Sequence, residues 1–133
     1  METRHRFGEH VGEVEIELEA ASEAGIFEAA LVALAELVAM GEDGESACHE
    51  IELAAGDRAL LLVDWLSELV FLAEVEQFVP KRLAAFELVD SRLQATVEGH
   101  RSHPRHLVKA VTLNNLEFEQ EGGIWHGRVV LDV

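Results

Sequence analysis

The most apolar run of the chain, Ala59-Leu-Leu-Leu-Val-Asp-Trp-Leu-Ser-Glu-Leu-Val-Phe-Leu72, restricts what the rest can fold into. Its polar residues, Asp64, Ser67 and Glu68, lie close together. On a 3.6-residue period they leave one narrow wet stripe on a cylinder that other elements must cover. Asp57, after Gly56, is suited to cap the first turn through its carboxylate, and Val79-Pro80 sets a limit that a helix does not easily pass. The spacing predicts a central helix over residues 57–76. A membrane span is excluded, because the two acids interrupt a run already shorter than the ~20 residues a bilayer needs.

A chain of 133 residues with 49% hydrophobic content is expected to form a single domain, 1–133, with a real core. Ten Lys and Arg against 26 Asp and Glu give a formal charge of −16. Contact with nucleic-acid phosphates needs a positive surface, so no direct nucleic-acid binding is expected. An anionic membrane surface is disfavoured for the same reason, whereas basic protein partners and metal cations stay open. Cys48, the lone cysteine, cannot form an internal disulfide, and Met1-Glu-Thr-Arg-His is not followed by the apolar stretch of a signal peptide. Both suit a cytoplasmic protein.

Strict alternation in Glu13-Val-Glu-Ile-Glu-Leu-Glu-Ala20 predicts a strand with Val14, Ile16 and Leu18 inward and glutamates in water. Ser22 caps a second helix that runs to about Met40, where Gly41 ends it. Further strands are expected at Ala47–Leu53, Leu83–Val89, Leu93–Glu98, Leu107–Leu113, Leu116–Glu119 and Ile124–Val133. Asp90-Ser91, Asn114-Asn115 and Gln120-Glu-Gly-Gly123 supply the turns. Gly8–Glu13 reads as a Gly-punctuated turn and Gly99–Arg105 as a polar loop. The fold class is therefore α+β: two long helices packed with about seven mostly antiparallel strands.

His100, His103 and His106 recur at three-residue intervals, but Pro104 interrupts the helix that would align them on a zinc ion, and a solvated loop is the plainer reading. Asp64 and Glu68 share one helix face and could do acid–base work, yet such pairs more often mark the edge that meets water. Gly122-Gly123 lacks the strand-to-helix context of a phosphate loop. Lys109 is one of only two lysines and lies in the apolar run Leu107–Leu113, and Asp132 is the penultimate residue. An acid within a β run is unfavourable unless it meets a partner or water. Spacing alone does not bring Glu13, Lys109 and Asp132 together.

Four separated stretches, in order, resemble the archease family. Phe7-Gly-Glu-His-Val-Gly-Glu13 occupies the place of the family's aromatic-x-x-His-Thr-Ala-Asp turn, and Leu61–Phe71 matches its Trp-containing helix. Lys109-Ala-Val-Thr112 matches a Lys-Ala-Val/Ile-Thr strand, and Trp125 through Asp132-Val133 matches a final strand that closes on Asp and an aliphatic residue. The resemblance implies an accessory of the RtcB-type GTP-dependent RNA ligase of tRNA splicing. Such an accessory speeds formation of the ligase–guanylate intermediate and restores turnover, without being an enzyme itself.

Carried over, the family's functional residues are Lys109 and a metal site of Glu13 and Asp132, with the terminal carboxylate of Val133 a further ligand. These hard oxygen donors suit a divalent cation, Ca²⁺, Mg²⁺ or Mn²⁺. Glu13 departs from the family's Asp by one methylene, and Val11-Gly12 replaces Thr-Ala. Two other readings stay open: a small metal-dependent enzyme in its own right, and a plain acidic interaction domain.

Overall fold

The computed structural model describes residues 3–39, 44–104 and 108–133. In chain order the elements are β1 (Arg4–His10), β2 (Glu13–Ala20), α1 (Glu23–Val38), β3 (Ser46–Ala54), α2 (Arg58–Val75), β4 (Phe78–Val89), β5 (Arg92–Arg101), β6 (Ala110–Glu121) and β7 (Ile124–Asp132). One sheet has the order β1-β2-β7-β6 and the other β3-β5-β4. Every strand pair is antiparallel. The two helices touch each other and strands of both sheets. The α+β class and the two helices are as the sequence predicts.

Both helices start where their caps direct. The Ser22 hydroxyl accepts from Gly25 N–H at 3.0 Å and the Asp57 carboxylate from Leu60 N–H at 2.9 Å. Each therefore satisfies one of the donors that a helix start leaves unpaired. Because α2 packs on both sheets, Leu61, Leu62, Trp65, Leu66 and Leu69 are fully buried. The Trp65 indole N–H donates to the Phe27 carbonyl at 2.9 Å, which ties α2 to α1 in the middle of the core. The wet stripe carries Asp64 and Ser67 as expected, but also Leu60, Phe71 and Val75. α1 stops at Val38, short of the expected run to about Met40: Ala39 is already extended, its N–H donating to the Ala35 carbonyl at 2.9 Å, and Gly41 itself lies outside the described residues.

Three expectations are corrected. Residues read as the approach to a turn form β1, an edge strand whose last residue pairs with Glu13, so the turn shrinks to Val11-Gly12. Gly12, at φ 77°, supplies the left-handed position that such a two-residue connection needs. The two strands expected around Asn114-Asn115 are one strand, β6, with a shift of register between Thr112 and Glu117 and Asn115 at φ 53°. That is a bulge: extra residues are absorbed without reversing the chain. Finally, Gly99–Arg101 is not loop but the end of β5, and His100 is only 9% exposed.

Candidate functional site: a carboxylate pair where β2 begins and β7 ends

Alternation along β2 sends Val14, Ile16, Leu18 and Ala20 into the core and Glu13, Glu15, Glu17 and Glu19 to the outer face. Register with β7 places Glu13 opposite Asp132 and Glu17 opposite Arg128. Directly opposed residues of an antiparallel pair share a face, so the Glu13 and Asp132 side chains leave the sheet on the same side. Both are partly buried.

The surrounding rows show why this pair is unusual. The adjacent row on this face, Gly8, Glu15, Val130, Thr112, carries a single charge; beyond it one row reads Arg6, Glu17, Arg128, Glu117 across the four strands, and the last reads Arg4, Glu19, His126, Glu119. Opposite charges alternate in the Arg6 row: Arg6 pairs with Glu17, and Arg128 Nη2 lies 2.6 Å from Glu117 Oε2. The Arg6 guanidinium is held above its usual range by that hydrogen bond, then by the charge, of Glu17. The row at the sheet's end instead reads His10, Glu13, Asp132, Ala110, which sets two carboxylates side by side. Like charges directly opposite each other cost roughly 0.2–1 kcal/mol in a sheet. A cation between them removes that cost.

Backbone bonds fix the rest of the cluster. Lys109 N–H donates to the Asp132 carbonyl at 2.7 Å, and Val133 N–H donates to the Gly12 carbonyl at 3.0 Å. The final residue is thus held beside the β1–β2 turn, with Val133 exposed. Lys109 precedes β6 rather than lying inside it, and its side chain is exposed, with no ion pair among the described residues. The structure therefore brings together the backbones of all four residues expected from the resemblance: Glu13, Lys109, Asp132 and Val133.

As donors Glu13 and Asp132 fit a divalent cation in kind, side-chain carboxylates being hard oxygen ligands. Among the described residues no three His, Cys, Asp or Glu side chains gather as a metal cluster. An ion here would keep water, or a partner's groups, in its remaining positions. The other candidates do not converge on this place. His103 is exposed, His106 lies outside the described residues, and Asp64 and Glu68 stay on α2. Cys48 is exposed and unpaired by disulfide.

A sequence profile of the Archease protein family (MTH1598/TM1083) matches residues 5–133. The chain is 31% identical to the protein archease of Methanosarcina mazei over 98% of its own length and 96% of the relative's. Its fold is similar to the solution structure of protein 1598 of Methanobacterium thermoautotrophicum, with TM-score 0.71, 27% identity and coverage of 97% of this chain and 98% of that one. It is also similar in fold to the crystal structure of a Thermotoga maritima protein described as an archease, possible chaperone. There the TM-score is 0.69 at 21% identity, covering 95% and 94% of the two chains.

Proposed function

The chain belongs to the archease family, and from that premise we propose that it is a non-catalytic activator of a GTP-dependent RNA ligase of the RtcB type. In this reading it promotes ligase guanylylation and turnover in tRNA splicing or RNA repair, in the cytoplasm. The observation that carries the proposal is the direct opposition of Glu13 and Asp132 in a sheet whose other directly opposed Arg and Glu residues pair with opposite sign. A sheet tolerates such a pair at low cost where a cation joins it.

Each residue has a part. Glu13 and Asp132 would hold a Ca²⁺, Mg²⁺ or Mn²⁺ ion, and the Val133 carboxylate, tied to the turn by its own N–H, would add a third oxygen. The ion would supply a positive centre that can be shared with groups of the ligase. Lys109, exposed beside Asp132, is positioned to pair with a phosphate or an acid brought by the partner. The charge of −16 favours approach to a ligase whose RNA cleft is basic.

Mixing the protein with the ligase, GTP and Mn²⁺ tests the proposal. Faster guanylylation of the ligase supports it. Turnover of RNA or nucleotide without ligase would instead identify an enzyme, and neither result would leave a plain interaction domain. Lys109→Ala is expected to lower the stimulation about tenfold or more while leaving the thermal midpoint unchanged, since the side chain is exposed.

A further inference from the structure

Lys81-Arg82 is the one place in this acidic sequence where two Lys or Arg residues are adjacent. In an unbroken strand such neighbours would leave on opposite faces. Here Pro80 pairs with Gly99 and Arg82 with Glu98, so Lys81 is the extra residue of a bulge in β4. A bulge re-aims its side chains. Both cations are exposed, and both line one depression of about 490 Å³ together with Ser46, Cys48, Glu98 and His100.

The surrounding backbone is sterically committed to this shape. A Cβ on Gly99, opposite the bulge, would lie 2.1 Å from the Val79 carbonyl oxygen and 3.0 Å from Pro80 Cα. A Cβ on Gly44 would lie 1.7 Å from the Arg101 carbonyl oxygen, and Arg101 N–H donates to the Glu45 carbonyl at 2.7 Å. Those two glycines let the chain entering β3 and the bulged strand close tightly on the end of β5, which carries His100. Glu98, the acid in the lining, is held by Arg82 with Nε–Oε1 at 2.6 Å. That bond uses one of the guanidinium's five N–H donors.

We propose that this corner binds a phosphate group, either the phosphates of a free nucleoside triphosphate or the terminal phosphate of an RNA strand. A guanidinium matches phosphate oxygens in pairs, and a neighbouring ammonium adds a point charge. The overall negative charge opposes a long duplex, which needs a wide basic surface, but one phosphate needs only a local one. The site lies on the sheet that does not carry Glu13 and Asp132, so it is independent of the ligase reading.

Calorimetric titration of the full chain with GTP, with a short 5′-phosphorylated single-stranded RNA and with the same RNA unphosphorylated tests it. Saturable binding of GTP or of the phosphorylated RNA, with the unphosphorylated strand silent, is expected, and the probe that binds names the source. Lys81→Gln and Arg82→Gln should each weaken that binding about tenfold, and added salt should weaken it with a log–log slope of about −0.7 per phosphate contact. Both residues are exposed, so an unchanged thermal midpoint is expected of both variants. Arg92→Gln, the same charge change elsewhere on this sheet, should leave affinity intact. No saturable binding of either phosphate probe, or equal weakening by Arg92→Gln, overturns the proposal.

Discussion

Glu13 carries one methylene more than aspartate at the position facing Asp132, so its oxygens reach about one C–C bond further from the strand. Because ligand charge sets affinity at such sites more than exact reach, Glu13→Asp should still bind Mn²⁺ in calorimetry. Glu13→Gln should lose on the order of tenfold or more. Equal affinity in all three proteins would remove Glu13 from the donor set. Residue identity was legible here only through resemblance. Nothing in the spacing of Glu13, Lys109 and Asp132 announces that they meet, since Glu13 and Asp132 are opposed by register between strands more than a hundred positions apart and Lys109 joins them through a backbone bond to Asp132. Trp65, by contrast, was legible as core from periodicity alone. Its indole bond to the Phe27 carbonyl is buried, so Trp65→Phe should cost about 2–3 kcal/mol in urea denaturation, combining a lost hydrogen bond with a cavity.

At the scale of elements, the strongly periodic segments were readable and the weakly patterned ones were not. The strand from Glu13 to Ala20 and both helix starts fall where alternation and capping put them. The strand β1 was hidden because Arg4-His-Arg-Phe-Gly-Glu-His10 has one large apolar residue and no alternation. Charged side chains of that kind are what an edge strand uses to discourage pairing with other chains. Asn114-Asn115 misled for a different reason: a residue in the left-handed region serves a hairpin turn and a bulge equally, and only the partner strand decides. Asn115 at φ 53° therefore carries a prediction. Asn115→Gly should be neutral or stabilising and Asn115→Val destabilising by about 1–2 kcal/mol, read from thermal unfolding. A stable valine variant would mean that the strand does not need this conformation.

Across the whole molecule, charge is organised rather than merely abundant. On the outer face of the four-stranded sheet, Arg6, Glu17, Arg128 and Glu117 oppose one another with alternating sign, whereas Glu13 and Asp132 oppose each other with the same sign. Net charge was readable from composition, whereas this arrangement depends on which strands are neighbours. Among the described residues no helix is long and apolar enough to cross a membrane. If the negative surface guides docking on a basic ligase, association measured by stopped flow should slow about tenfold or more as salt rises from about 0.05 to 0.5 M. A salt-independent rate would assign the charge to solubility alone.

The role proposed for the acidic cluster, where folding sets Glu13, at the β1–β2 turn, opposite Asp132, is action on the ligase. Its most direct measurement is the single-turnover rate of ligase guanylylation with GTP and Mn²⁺, in the presence of the unaltered protein or of Asp132→Asn. The amide keeps the shape of the carboxylate and removes its charge. Stimulation by the unaltered protein and little or none by Asp132→Asn is the expected result; equal stimulation by both would contradict that role.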